Sequence, residues 1–102
     1  MRNDKPYPAP PEHLSERSRV LWAELGPIGA RSLGRQTIFQ SALEALDSAD
    51  EARRIVREAG LFFVTKTTGA VHVHPAVKVE REARLQFARL WSSLSLQFPN
   101  EN

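Results

Sequence analysis

The sequence predicts a mainly α-helical fold of three helices, with a β-hairpin between the second and third helices. Two long stretches, residues 35–59 and 76–95, carry apolar side chains at helical spacing. Between them, two short runs rich in β-branched and aromatic residues flank a turn that contains glycine. A shorter helical pattern precedes both long stretches. The order of elements is therefore helix, helix, hairpin, helix.

The composition is that of a single small domain. The chain has 102 residues, of which 41% are hydrophobic and 25% charged, with a formal net charge of +2. It has no apolar run near the ~20 residues needed to cross a bilayer, and no apolar segment follows the basic residues of its N-terminus. The absence of cysteine excludes disulfides and thiolate chemistry. We expect a cytoplasmic protein that does not enter a membrane.

Prolines mark both ends of the chain. Residues 1–13 form a proline-rich lead that we expect to be flexible, because proline fixes φ and removes a backbone donor. We expect residues 14–96 to form a single helical domain. Pro99 then stops the last helix, which leaves residues 97–102 as a tail.

The first helix is predicted over residues 16–25. Ser15 is a suitable N-cap, and Gly26-Pro27 is a stop signal. The following stretch, GPIGARSLG, reads as a nine-residue loop. A loop of this length is too long for the turn of about 3–4 residues found in a helix-turn-helix.

The second helix, residues 35–59, carries two apolar lines. One line, from Ile38 to Leu46, runs into charged residues beyond Asp47 and cannot stay buried in the same core. A second line of mostly small residues repeats every three or four positions and would let another helix approach closely. Either this line is an interface between copies of the chain, or the helix breaks near Asp47-Ser48 and each half packs separately. The predicted interface residues are Ala45, Ala49, Ala52, Val56 and Ala59.

The hairpin is predicted from strands over residues 61–65 and 70–74. Alternation places Val71 and Val73 on one face and His72 and His74 on the other. An isolated two-stranded hairpin is marginal in water, so this one must pack on a helix or on a neighbouring molecule.

The third helix is predicted over residues 76–95, with Pro75 suited to its start. Its apolar residues fall within an arc of ~120°, which is wide enough for a core stripe. The members of this stripe are Ala76, Val79, Ala83, Phe87, Leu90, Trp91 and Leu94.

No residue pattern indicates catalysis. His72 and His74 could supply two metal ligands, but the sequence places no third ligand near them. No serine lies in a Gly-x-Ser-x-Gly turn, and no phosphate-binding glycine loop is present. We therefore predict a protein that is not an enzyme and that uses no metal or other cofactor.

The basic residues fall into two groups. Arg53, Arg54 and Arg57 have acidic partners within helical reach. The others have no obvious partner, and repeated around an oligomer they could bind phosphates. These predicted DNA-binding residues are Arg31, Arg35, Lys66, Lys78 and Arg81.

The order of these features resembles that of bacteriophage terminase small subunits of the short helical family. In the first half, the shared features are a proline-rich lead, a leucine-serine cap and a helical tryptophan, here Pro10, Pro11, Leu14, Ser15 and Trp22. The second half is similar through Gly60, the hairpin, His74-Pro75 and a charged helix that ends in a leucine-rich turn. Family members commonly have leucine-glycine-leucine in that turn, where this chain has Leu94-Ser95-Leu96.

The resemblance implies a non-catalytic DNA-packaging component. Such subunits form ring-shaped homo-oligomers, engage viral double-stranded DNA at the packaging start and regulate a large terminase subunit that holds the ATPase and nuclease. The expected partners are therefore viral DNA, the large subunit and copies of the chain itself. The alternatives are a small DNA-binding transcriptional regulator and an assembly adaptor that does not bind DNA.

Overall fold

The computed structural model describes residues 5–96, so residues 1–4 and 97–102 lie outside the description. The described chain forms α1 (Glu16–Gly29), α2 (Leu33–Ala59), β1 (Phe62–Val64), β2 (Val71–Val73) and α3 (Pro75–Leu94), in that order. This confirms the predicted mainly helical chain with an antiparallel hairpin between its second and third helices. The molecule is elongated, with extents of 66 × 27 × 25 Å.

Helix α1 begins where the sequence predicts and ends later. The Ser15 side chain accepts a hydrogen bond from the Ser18 backbone N–H, which confirms the N-cap. The predicted end at Gly26-Pro27 is wrong, because the helix continues through Pro27 to Gly29. Proline removes one backbone donor, but the Ala30 N–H still closes the last turn on the Gly26 carbonyl. Only residues 30–32 connect α1 to α2, so the predicted nine-residue loop is also wrong.

Helix α2 is one unbroken helix of 27 residues, so the predicted alternative of a break near Asp47-Ser48 is wrong. Its buried side chains shift gradually around the helix from Phe39 and Leu43 to Ala49 and Ala52. Phe39 packs against Trp22 of α1, whereas beyond Asp47 the ion pairs of Asp50 with Arg84 and of Arg53 with Glu80 place α3 beside α2. The buried face therefore shifts where the neighbouring elements change.

Helices α2 and α3 form an antiparallel helical hairpin, and side-chain contacts fix their pairing. Phe39 of α2 lies against Trp91 of α3, with ring centroids 6.0 Å apart. Farther along, Arg84 lies 3.5 Å from the Asp50 carboxylate, and Arg53 lies 3.5 Å from Glu80. These ion pairs are partly exposed and contribute only up to about 1 kcal/mol each. The packed face between the helices supplies the larger part of the stabilisation.

The core lies at the end of the molecule where α1 meets the other two helices. The ring of Trp22 stacks on that of Phe39 at 5.5 Å with the planes 7° apart. Around these aromatic rings lie other buried apolar side chains: Leu14, Leu25, Leu43 and Leu94. The contacts of α1 with α2 extend to Asp50 and stop short of the end of α2 at Ala59, so this core does not extend to the hairpin end of the molecule.

The proline-rich segment packs against α1 where the structure describes it. The Tyr7 hydroxyl donates to the Ala30 carbonyl oxygen at 2.7 Å, and the Trp22 indole N–H donates to the Pro8 carbonyl oxygen at 2.8 Å. Burial raises the pKa of the Tyr7 phenol, and the positive charge of Arg31 opposes this shift. Residues 5–13 are therefore attached to the domain, whereas residues 1–4 of the predicted flexible lead lie outside the description.

Gly26 is required by the close approach of Tyr7. A Cβ atom at position 26 would lie 2.2 Å from Cε2 of the Tyr7 ring. Gly26→Ala should therefore lower the free energy of unfolding by about 1–3 kcal/mol through overpacking, measured by urea denaturation. In a Tyr7→Ala background the same change should be neutral or stabilising by up to about 1 kcal/mol, because alanine favours a helix more than glycine does. If Gly26→Ala lowers the free energy of unfolding in both backgrounds, the contact with Tyr7 is not the reason for glycine at position 26.

Helix α3 starts and ends with defined caps. The His74 imidazole Nδ1 accepts a hydrogen bond from the Ala76 N–H, and Pro75 occupies the first turn as predicted. At the other end Ser95 has φ +50°, in the left-handed region that favours glycine. Within the predicted core stripe, Ala76 and Leu94 are buried, but Val79 is 49% exposed and does not belong to the core.

Candidate assembly surface and basic groups

The hairpin presents an uncovered apolar surface to solvent. The register pairs Phe62 with Val73 and Val64 with Val71, which places all four side chains on one face. We call these four residues the apolar hairpin face. Their exposed fractions are 57%, 53%, 58% and 67% in the order just given. Exposed apolar patches are a common feature of interaction sites, so this face is a candidate for one.

The opposite face of the hairpin is occupied by aromatic rings. Phe63 stacks on His72 at 5.1 Å and meets the edge of His74 at 6.3 Å. Because the Nδ1 atom of His74 already accepts the helix-capping bond, this histidine is committed to the start of α3. The described residues contain no group of three or more histidine, aspartate or glutamate side chains that could hold a metal ion.

The segment from Gly60 to Val79 contains no acidic residue. Lys66 lies in the hairpin turn, where it is exposed and forms no ion pair with any described residue. The hairpin end is therefore both apolar and cationic, a combination that favours a partner surface carrying apolar and acidic groups.

Two of the five predicted DNA-binding residues are engaged with the chain's own backbone. Arg31 donates to the carbonyl oxygens of Pro27 and Lys5, both at 3.0 Å. Arg35 donates to the carbonyl oxygens of Gly29 and Leu94, the last residues of α1 and α3. A guanidinium beside the C-terminus of a helix satisfies its free carbonyls and interacts favourably with the helix dipole. Arg31 thus joins the end of α1 to the proline-rich segment, and Arg35 joins the ends of α1 and α3.

The other three predicted DNA-binding residues lie at the opposite end of the molecule. Lys78 and Arg81 line an open groove on α3 together with Val73 and His74 of the hairpin region. The Lys78 ammonium lies 3.8 Å from the Glu82 carboxylate, whereas Arg81 forms no ion pair within residues 5–96. The structure therefore brings Lys78 and Arg81 together, places Lys66 in the nearby hairpin, and separates all three from Arg31 and Arg35.

The predicted interface line on α2 is divided between buried and accessible positions. Ala49 and Ala52 are buried within the chain, and Ala45 and Val56 are partly buried, while Ala59 is exposed at the end of the helix. Ala49 and Ala52 are therefore covered within one chain, whereas Ala45, Val56 and Ala59 keep accessible surface. The use of this line as an interface between copies stays a prediction.

Sequence reasoning missed a polar cluster that joins α1 to α2. The Asp47 carboxylate accepts hydrogen bonds from the Ser15 N–H at 2.7 Å, from the Ser15 hydroxyl at 2.7 Å and from the Ser18 hydroxyl at 2.6 Å. Ser18 is fully buried. The sequence does contain one indication of this cluster. Ser18 is a polar residue on the apolar face of α1, and a buried hydroxyl needs a hydrogen-bond acceptor.

Sequence reasoning also missed an exposed stripe on α1. Glu16, Val20, Glu24 and Ile28 recur every four residues and lie on the face opposite the buried Trp22. We call these four residues the α1 outer stripe. Val20 is 49% exposed and Ile28 is 57% exposed. Because α1 extends beyond Pro27, Ile28 belongs to this stripe. The predicted helix ended at Leu25, so the stripe could not be recognised from the sequence.

No helix among the described residues combines the length and the apolar character needed to cross a membrane. Comparisons with protein-family models, with curated proteins and with solved structures found no match for this chain.

Proposed function

We propose that this chain is the small subunit of a viral terminase, a non-catalytic DNA-packaging component that assembles with copies of itself. In this role it engages viral DNA and regulates a large subunit that carries the ATPase and nuclease. The proposal rests on the resemblance carried by Leu14, Ser15, Trp22, the hairpin and His74-Pro75. A ring is the form of homo-oligomer that the resemblance implies.

The uncovered apolar hairpin face carries the proposal. A two-stranded hairpin is marginal by itself in water, and this one lies beyond the core with all four apolar side chains more than half exposed. A surface of this kind gains free energy when a partner covers it. Self-assembly supplies such a partner in every copy.

The turn after α3 adds support. The backbone at Ser95 has φ +50°, a conformation that glycine adopts at the lowest cost. Terminase small subunits of this type commonly carry glycine at this place in the leucine-rich turn. The backbone at Ser95 therefore has a conformation that suits the glycine common in this family, although this chain has serine at that position.

We propose that Lys78 and Arg81 contact DNA phosphates, because they line one groove and lie at the hairpin end. Replacing either with alanine should weaken binding to duplex DNA and reduce the slope of log K against log salt by about one. Arg19→Ala, which also removes an exposed cation but lies on α1, serves as the matched control. Arg31→Ala and Arg35→Ala should instead lower stability, because their guanidiniums bind backbone carbonyls.

The decisive experiment combines three measurements on the full chain. Light scattering should give a mass several times the 11.5 kDa of one chain. Fluorescence anisotropy with duplex DNA should show salt-dependent binding, and addition of the chain should change the ATPase rate of a cognate large terminase subunit. Assembly without DNA binding or ATPase regulation would indicate the adaptor and overturn the terminase assignment.

One observation favours the DNA-binding regulator as a second candidate. Only residues 30–32 join α1 to α2, which is the turn length of a helix-turn-helix. However, polar side chains at the start of α2 bond to the chain's own carbonyls: Arg35 to Gly29 and Leu94, Gln36 to Arg31, and Thr37 to Leu33. A regulator would bind a palindromic site as a dimer and leave the ATPase rate unchanged.

A further inference from the structure

The apolar hairpin face and the α1 outer stripe are complementary in charge. Neither Glu16 nor Glu24 forms an ion pair with any described residue, and both side chains are exposed. The hairpin carries Lys66 and no acidic residue. A contact between the two surfaces would place a cation beside carboxylates that are not otherwise paired.

The two surfaces are also complementary in apolar character. The hairpin offers the side chains of Phe62, Val64, Val71 and Val73, and the stripe offers those of Val20 and Ile28. At a rise of 1.5 Å per residue, the stripe from Glu16 to Ile28 extends over about 18 Å. Each three-residue strand of the hairpin extends over about 7 Å, so the apolar hairpin face fits within the length of the stripe.

Two other arrangements fit the charges less well. Packing two hairpins face to face would bring two Lys66 cations into one contact, with no carboxylate between Gly60 and Val79 to offset them. Docking the hairpin on the outer side of α3 would place it beside Arg81 and Arg89, which form no ion pair within the described chain. The α1 outer stripe provides both an apolar surface and opposite charge.

We infer that the apolar hairpin face of one copy of this chain docks on the α1 outer stripe of a second copy, with Lys66 facing Glu16 and Glu24. This deepens the self-assembly in the proposed function and rests on it. Helix α1 contacts α2 between Arg35 and Asp50, whereas the hairpin follows the end of α2 at Ala59. The two surfaces therefore lie on different parts of each copy, so one copy can offer its hairpin to a second copy and its stripe to a third. Such head-to-tail contacts close into a ring or continue as a filament.

The test uses two variants of the full chain, each blocked on one surface. Val64→Thr with Val71→Thr removes apolar surface from the hairpin and keeps β-branched residues in the strands. Val20→Lys with Ile28→Lys places charge on the stripe at exposed helical positions. We expect each variant alone to have the mass of one chain in light scattering, under conditions in which the unmodified chain assembles. Circular dichroism melting confirms that each variant is folded.

Mixing the two blocked variants separates head-to-tail docking from other arrangements. The hairpin-blocked chain keeps a working stripe and the stripe-blocked chain keeps a working hairpin, so the mixture should give twice the mass of one chain and no larger species. A symmetric hairpin contact predicts that the stripe-blocked variant dimerises by itself and that no complex contains both variants, and that result would overturn the inference. Assembly of either blocked variant alone to the size of the unmodified chain would also overturn it.

Charge reversal tests the ionic part of the contact. Lys66→Glu alone, and Glu16→Lys with Glu24→Lys, should each weaken assembly at least tenfold, and combining them in one chain should restore most of it. Arg89→Glu is the matched control, because it reverses an exposed cation outside both surfaces and should leave assembly unchanged. If assembly is not restored in the chain that combines these changes, the proposed contact of Lys66 with Glu16 and Glu24 is wrong.

The outcomes also separate this inference from the proposed function. An unmodified chain that assembles, binds duplex DNA and regulates the ATPase, with both blocked variants assembling normally, would overturn only the docking mode. An unmodified chain that assembles through these two surfaces but neither binds DNA nor changes the ATPase rate would overturn only the terminase role. A monomeric unmodified chain would overturn both.

Discussion

Replacing Phe39 with alanine should lower the free energy of unfolding by about 3–5 kcal/mol, one of the two largest losses expected from a single change. Phe39 is fully buried and lies between Trp22 of α1 and Trp91 of α3, so its ring joins all three helices. Small domains have total stabilities of about 5–15 kcal/mol, so the variant should be close to unfolded at 37 °C. Urea denaturation followed by tryptophan fluorescence measures the change directly.

Phe63→Ala is the matched control for Phe39→Ala. Both changes remove a phenyl ring, but Phe63 lies on the hairpin outside the core and is 43% exposed. We expect its cost to stay below about 1 kcal/mol, in line with exposed positions elsewhere in proteins. Equal losses from the two variants would show that the core does not depend on the aromatic stack.

Replacing Asp47 with alanine is the second large effect, with an expected loss of about 2–4 kcal/mol. The change removes three hydrogen bonds between α1 and α2 and leaves the buried Ser18 hydroxyl without its acceptor. Thermal melting and urea denaturation of the full chain measure this loss. If the variant is as stable as the unmodified chain, Asp47 does not hold α1 against α2.

Asp50→Ala provides the control for Asp47→Ala. The Asp50 carboxylate pairs with Arg17 and Arg84 but lies at the surface, so its removal should cost less than about 1 kcal/mol. A double-mutant cycle refines the comparison, because Ser18→Ala should cost less in the Asp47→Ala background than alone. Strict additivity would indicate that the Ser18 hydroxyl is satisfied without Asp47.

The contacts that stabilise the fold are concentrated at one end of the molecule, away from the hairpin. The aromatic core, the Asp47 cluster and the arginines that bind helix ends all lie in the part of the molecule that contains α1. The other end holds the apolar hairpin face and the cations Lys66, Lys78 and Arg81. Regions with few buried contacts are those that most often rearrange or bind partners. The functional proposals therefore concern the uncovered hairpin end and, for the docking contact, the exposed outer stripe of α1.

Local sequence features predicted the type and order of the elements well. Ser15 caps α1 and Pro75 opens α3, as the sequence indicates. The β-branched and aromatic runs around Gly69 form the hairpin. Each of these features acts through the backbone of its own segment, so neighbouring residues suffice to predict it.

Features that depend on distant residues were not predicted correctly. The stop at Gly26-Pro27 failed because Tyr7 packs on Gly26 and the carbonyls of the last turn find donors in Ala30, Arg31 and Arg35. The predicted break near Asp47 is wrong because α3 lies beside α2 beyond that point, with Arg84 at Asp50 and Glu80 at Arg53. Arg31 and Arg35 appeared free in the sequence because their acceptors are backbone carbonyls, which no residue pattern reveals.

The sequence alone determined the mainly helical class, the hairpin between the second and third helices, and the absence of a recognisable catalytic motif. Only the tertiary structure decided which apolar surfaces the chain buries for itself: it covers Ala49 and Ala52 and leaves the hairpin and Val20 exposed. The physical reason is that helix and strand patterns are set by neighbours along the chain. Burial, in contrast, is set by residues brought together across it, as Phe39 is with Trp91.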